Sequence, residues 1–221
     1  MRDHPSAVLL VAQLLGILTY PFLGTSTAGR LLLGVVGLGI VVVALWAVHE
    51  SPALTWVALL LGGPAMVFTV WEAFAPHTDS VVLVSSVLHA LFYFYVSWAM
   101  VRYLFADRSV THDELYAVGA AFTVVAWGFT YVFVAVQVVW PGSFTGAGTA
   151  GDRTWFELLF SSFANLTGVG LSDVLPALPQ ARSVVMVEQI TGVMYVALVI
   201  SRLVGLTTVR AAAEDREHPP G

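Results

Sequence analysis

The chain has 221 residues, 58% of them hydrophobic and 10% charged, with a mean hydropathy of +0.84 and a formal net charge of −5. A soluble domain carries roughly a quarter charged residues, and a single core could not bury this much apolar surface, so the composition selects a membrane protein. Cysteine is absent, which excludes disulfides, thiolate metal sites and cysteine nucleophiles, and the acidic balance argues against a nucleic-acid partner. Lysine is absent too; all nine basic residues are arginines.

Crossing a bilayer takes about 20 helical residues. Six apolar stretches meet that length, at 6–24, 30–48, 54–73, 80–104, 115–139 and 182–206. The first has a signal peptide as its alternative. Against that stand one arginine balanced by one aspartate in Met1–Ser6, and no small-residue cleavage site before Arg30. The breaks Gly24–Gly29, His49–Pro52, Ala75–Ser80 and Asp107–Glu114 are short and carry Pro, Gly or charge, as antiparallel helical hairpins require. Tyr20, Trp46, Trp56, Trp71, Trp98, Tyr103, Tyr116 and Trp140 fall near the expected interfaces, the pattern of an aromatic belt.

Six spans put both termini on one side. That side holds Arg2, Arg102, Arg108, Arg202, Arg210 and Arg216, against Arg30, Arg153 and Arg182 on the other, so the termini are expected in the cytoplasm of a prokaryotic cell, inside its plasma membrane. The fourth span contains one basic residue, Arg102. A voltage sensor needs several, because each charge crossing the field supplies about 2.3 kcal/mol per 100 mV. Weak or no voltage dependence is therefore expected. Glu72 and His89 lie in or near the third and fourth spans. They are either pH-sensing groups or buried and interfacial ones with hydrogen-bond partners.

The segment between the fifth and sixth spans is the most informative. Pro141–Gly151 reads as a flexible Gly/Ser/Thr stretch, and Thr154–Leu166 as an apolar run too short to span. Thr154 and Glu157 have capping-box spacing, which starts a helix there. Thr167-Gly168-Val169-Gly170-Leu171-Ser172-Asp173 and Val174-Leu175-Pro176 follow. A half-length helix and a glycine-containing strand between two spans form a re-entrant loop. Such backbone survives at membrane depth only when it is buried in protein or lines a watery path.

From Phe160 to Pro176 the chain resembles tetrameric potassium channels, whose pore helix ends Thr-Thr and continues Val-Gly-Tyr-Gly-Asp toward a Pro. The resemblance extends downstream. Ala181-Arg182-Ser183 opens the last span, Gly192 stands at the usual hinge-glycine position, Glu188 at a common acidic position, and Ser201-Arg202-Leu203-Val204-Gly205-Leu206 closes the span. It covers about residues 115–208. It implies an all-α membrane protein of six transmembrane helices, with a re-entrant pore helix and a selectivity-filter strand between the fifth and sixth, tetrameric around a central pore. The domains are then a peripheral four-helix bundle at 1–106, a linker at 107–114, a pore domain at 115–208 and a short cytoplasmic tail at 209–221. That tail, with Glu214, Asp215, Arg216 and Glu217, is expected to be a helical extension too short for a nucleotide- or calcium-binding domain.

The resemblance also places the site. The filter is Thr167, Gly168, Val169, Gly170, Leu171 and Ser172, whose backbone carbonyls from four chains would replace the hydration shell of an ion. Three positions depart from the family pattern. Gly168 replaces a threonine hydroxyl at the innermost site, and Leu171 replaces a tyrosine that tethers the filter to the pore helix. Ser172 replaces a left-handed glycine, which is expected to cost about 1 kcal/mol and to reshape the outer mouth. Asp173 would form a ring of carboxylates at that mouth, or serve as a turn residue bonding its own backbone. Glu188 either braces the pore helix from behind the filter, through Asn165 or Ser162, or faces the cavity. Gly192 is an inner-helix hinge or a point of close helix approach. Gln189, Val193, Val196 and Ile200 share one helical face, a candidate cavity wall and hydrophobic gate, or ordinary packing.

The expected function is passive conduction of a monovalent cation, potassium first with sodium as the alternative. No cofactor and no further metal are called for, and the partners are three more copies of the chain and membrane lipid. Two rivals are a non-selective cation pore and a non-conducting, channel-derived scaffold. An enzyme is not expected: there are no catalytic residues to name, no HExxH motif, and no nucleophile near His89 in sequence. Only one broken helix is found, which argues against a transporter built from repeated halves.

Overall fold

The computed structural model describes residues 5–24, 26, 28–29, 31–32, 34–35, 37, 39, 52–74, 78–106, 112–146 and 151–217. The elements are α1 (Pro5–Leu23), α2 (Pro52–Phe74), α3 (Asp79–Ala106), α4 (His112–Val139), β1 (Phe144–Gly146), α5 (Trp155–Leu166), β2 (Val174–Pro176) and α6 (Pro179–Glu217). Among the described residues, five helices are long and apolar enough to cross a membrane, over Ser6–Leu23, Trp56–Phe74, Asp79–Arg102, Leu115–Val139 and Pro179–Arg202. They coincide with five of the six expected spans. The other, 30–48, falls mostly outside the described residues, as does most of the break 107–114.

The α3–α4 pair forms the most extensive helix interface, and α2 packs on α3 while α1 packs on α4. Its core sets Phe92, Tyr93 and Val96 of α3 against Ala120, Ala121, Val124 and Trp127 of α4, joined by Ala58 and Ala65 of α2 and Leu9 of α1. Lipid is as apolar as these side chains, so close fit rather than water exclusion holds such helices together, and small residues at the contact permit it. The ends are fixed by polar contacts. Asp113, at the start of α4, accepts from the Ser6 backbone N–H (3.0 Å) and hydroxyl (2.7 Å) at the start of α1.

One feature departs from the expectation for 141–151. Residues 144–146 are not free: β1 pairs antiparallel with β2 in the register Phe144 with Pro176, Thr145 with Leu175 and Gly146 with Val174. The physical reason is burial. Phe144 sits in a second core with Phe133, Val136, Leu158, Val174, Ala181 and Val185, which draws its strand onto the loop before α6. The Ala177 N–H extends the pairing to the Ser143 carbonyl at 2.8 Å. Beyond its apolar span, α6 continues as a helix to Glu217.

Candidate ion pathway

The short helix α5 lies between α4 and α6 and packs on both. Its start is built from local and distant bonds. Thr154 is the N-cap: its hydroxyl oxygen accepts from the Glu157 N–H at 3.3 Å, and its own N–H donates to Glu157 Oε2 at 2.7 Å. This is the capping box expected from the spacing, and it satisfies two backbone donors that a helix end leaves open. The Thr154 N–H, donated to the carboxylate, holds Glu157 below the usual carboxylate range. One residue earlier, Gln137 of α4 clamps the Arg153 backbone twice. Its Oε1 accepts from the Arg153 N–H at 2.8 Å, and its Nε2 donates to the Arg153 carbonyl at 3.0 Å. The buried Arg153 guanidinium bonds the Gly151 carbonyl and lies 3.7 Å from Glu157. Gln137 and Arg153 escape a search for motifs. The available signal is an amide in the C-terminal half of an apolar helix, since polar groups at membrane depth seldom lack a role.

The other end of α5 turns back on itself. The Gly168 N–H donates to the Asn165 carbonyl (3.0 Å) and the Gly170 N–H to the Ala164 carbonyl (2.9 Å). Gly168 has φ +73° and Gly170 φ +69°, a region open to glycine at little cost. The two glycines therefore cap the helix and swing the chain outward. Val169 and Leu171 project away, 62% and 74% exposed in the single chain. The expected penalty at Ser172 does not arise, because no non-glycine residue among those described has a positive φ. The left-handed turns fall where this sequence has glycine. The Ser172 N–H closes on the Gly170 carbonyl at 3.0 Å, and its hydroxyl accepts from the Val174 N–H at 3.0 Å, leading the chain into β2. Asp173, between them, is exposed.

Behind this loop, Glu188 of α6 is fully buried. The Ser162 hydroxyl of α5 lies 2.5 Å from Glu188 Oε1 and 2.8 Å from the Ala126 carbonyl of α4, so one side chain links three helices. Asn165 donates to Ser161 Oγ at 3.4 Å, and its side chain also faces the Glu188 carboxylate. Gly192 sits against the C-terminal end of α5: a Cβ built on it would overlap the Leu166 carbonyl oxygen and lie 3.1 Å from Leu166 Cα. The helix α6 passes through Gly192 without interruption. The Tyr195 hydroxyl ties the same region to α4 by donating to the Val118 carbonyl at 2.6 Å. Gln189, Val193, Val196 and Ile200 lie on the uncovered side of α6. Away from this loop, His89 is buried, with Nε2 3.0 Å from Thr69 Oγ1, Nδ1 2.7 Å from the Ser85 carbonyl, and its ring stacked on Tyr131.

Residues 119–208 match a family model described as an ion channel, a stretch that takes in α4 from its second turn, α5, the glycine loop and the apolar part of α6. The match covers less than half of the chain. No curated protein and no solved structure matches the chain. The chain is a multi-pass membrane protein whose C-terminal half is similar to an ion-channel domain, which supports a passive channel.

Proposed function

We propose that four copies of the chain assemble in the membrane around a common axis and conduct monovalent cations, potassium first, along residues 168–172. The observation that carries this reading is the 12-residue helix α5 between two spanning helices, followed by a glycine loop and lying inside the stretch that matches an ion channel. A half-helix of this kind would enter the membrane and return, with its carbonyl end toward the pathway, where its dipole favours a cation. Val169, Leu171 and the Val193–Val196–Ile200 side of α6 are uncovered in the single chain, as residues facing an axis shared with other copies would be. Asp173 would gather cations at the mouth, and Glu188 would brace the loop from behind. Arg102 alone in the fourth span leaves little charge to move in the field.

A second reading, a cation pore without strong selectivity, draws on Leu171. Its exposed aliphatic side chain has no group to bond back to α5, so the loop lacks a lateral tether there. The reversal potential of the purified protein in a planar bilayer, with potassium on one side and sodium on the other, separates the two. Reversal near the potassium equilibrium potential is expected. Reversal near zero, with current abolished by substitutions in 168–172, would establish the non-selective pore. No current under any condition would leave the scaffold reading standing.

A further inference from the structure

Residues 168–173 run between two fixed points. At one end the Gly168 and Gly170 N–H groups close on carbonyls of α5. At the other, Val174 is 2% exposed, in the core that also holds Phe144, Leu158 and Ala181. Further contacts converge on the strand that Val174 opens. Val174 faces Gly146 of β1 in the ribbon register. The Ser161 hydroxyl of α5 donates to the Val174 carbonyl at 3.5 Å, Arg182 Nε of α6 to the Pro176 carbonyl at 3.1 Å, and the Ala177 N–H to the Ser143 carbonyl at 2.8 Å. Arg153 backs the facing strand. A Cβ built on Gly146 would lie 2.6 Å from Arg153 Nη1 and 3.3 Å from its Cδ, so glycine there lets the buried arginine side chain pack against β1. The same guanidinium bonds the Gly151 carbonyl and lies beside Glu157, while Gln137 of α4 holds the Arg153 backbone. Arg153 thus joins the start of α5 to the ribbon.

We infer that the β1–β2 ribbon tethers the far end of the glycine loop, and that Arg153, acting through Gly146, is a positioning residue for residues 171–173. A two-stranded ribbon is marginal by itself and needs a packed face. Here Phe144 and Val174 supply that face, and Arg153 supplies a backing fastened to α4 and α5. Leu171, Ser172 and Asp173 are all that separates Gly170 from Val174, and the Ser172 hydroxyl accepts from the Val174 N–H. A shift of β2 therefore passes to these three residues with little slack. The aliphatic Leu171 side chain has no group to bond back to α5, so the restraint comes from the strand that follows it. The consequence for ion discrimination rests on the channel reading; the restraint of the loop does not.

The test uses the full-length protein, with Gly146→Ala as the perturbation, since the added methyl displaces the arginine side chain from β1. In detergent micelles, hydrogen exchange of the peptide covering 171–177, read by mass spectrometry, is expected to quicken about fivefold, the scale of one net hydrogen bond, with α3 and α4 unchanged. Arg153→Met is expected to do the same, and the two together no more than either alone. Thr145→Cys with Leu175→Cys, added to Gly146→Ala, closes the ribbon by other means. The two positions are paired and exposed, opposed residues of an antiparallel pair stand about 4.5–5.5 Å apart, within disulfide range, and the native chain has no cysteine to compete. Oxidation is expected to restore wild-type exchange, and dithiothreitol to undo the rescue. Unchanged exchange in Gly146→Ala, or no rescue by the closed disulfide, overturns the tether; additive effects of Gly146→Ala and Arg153→Met overturn the part given to Arg153. In planar bilayers, Gly146→Ala is expected to lower the potassium-to-sodium permeability ratio and the disulfide to restore it. Wild type without current, or reversing near zero, refutes the potassium-channel reading, and the exchange result still decides the tether. A selective wild type whose ratio survives Gly146→Ala, with the loop loosened, refutes the link to discrimination.

Discussion

Gly192→Ala tests whether the glycine of α6 is needed for close packing or for bending. The added methyl would overlap the Leu166 carbonyl oxygen, a backbone atom at the end of α5 that cannot rotate away. Restoring ordinary contact requires α5 and α6 to part by more than about 1 Å locally, and a gap of that size forfeits a quarter to a half of each affected dispersion contact. Overpacking of this kind costs about 1–3 kcal/mol. Alanine returns up to about 1 kcal/mol through its better helix propensity. The net expectation is a loss of about 1–2 kcal/mol, which for a chain of this size lowers the melting temperature by roughly 2–8 °C. Thermal unfolding of the purified protein followed by circular dichroism reads the shift, and single-channel recording reads open probability in parallel. The packing account expects lower stability. A pure hinge expects altered open probability with stability unchanged or slightly raised. A melting temperature equal to or above that of wild type would refute the overlap argument.

Three further outcomes follow from the same frame. Gln137→Leu keeps the volume but strips the two bonds to the Arg153 backbone, leaving a buried N–H and carbonyl unpaired; at about 1–3 kcal/mol per orphaned group, a loss of roughly 2–4 kcal/mol is expected by thermal unfolding, well beyond that of Thr154→Ala. Glu157 has its folded pKa depressed below the ordinary 4.5, so its contribution to stability is present above that value and disappears as pH falls through the lower, folded one; a melting curve from pH 6 downward in roughly half-unit steps should show this loss in wild type and lack it in Glu157→Gln. Gly170→Ala places a side chain at φ +69° and should cost about 1 kcal/mol or more, whereas Leu171→Tyr combined with Ser172→Gly should sharpen potassium preference while costing about 1 kcal/mol through the Val174 N–H that loses the Ser172 hydroxyl; an unchanged permeability ratio in the double variant would remove the tether argument.

The parts of this fold legible in the sequence are those fixed by local rules. A spanning helix must be apolar for its whole length because lipid offers no hydrogen bonds, so five helices could be bounded from composition alone, to within a few residues at most ends. The capping box at Thr154 and Glu157 was equally open to reading, because both partners lie within one turn. What escaped depends on long separation. The β1–β2 pair joins residues 28 to 32 apart through three positions, too few for any alternation to register. The Gln137 clamp reaches across 16 residues and grips backbone, which carries no sequence signature at the far end. Ser162 and Asn165 both stood as candidates to face Glu188, and both do, since residues three apart on a helix share a face. The Ser172 penalty was carried over from a resemblance, and the chain avoids it by placing both left-handed residues at its own glycines.

These contacts separate the position of the loop from its composition. At the start of α5, Gln137 and the capping box hold backbone atoms. At its end, the Gly168 and Gly170 N–H groups close on helix carbonyls, and Gly192 lets α6 press against Leu166. None of these contacts uses the side chain of Val169, Leu171 or Ser172 in holding α5. The helix can therefore stay in place while those side chains vary, and substitutions there act on the stiffness and width of the loop rather than on where it stands. Glycine at 168 and 170 is the part that cannot vary, because the backbone turns there. On the proposed channel reading, a loop so placed would hold its position whatever stands at residue 171, and its discrimination between cations would depend on what tethers that residue.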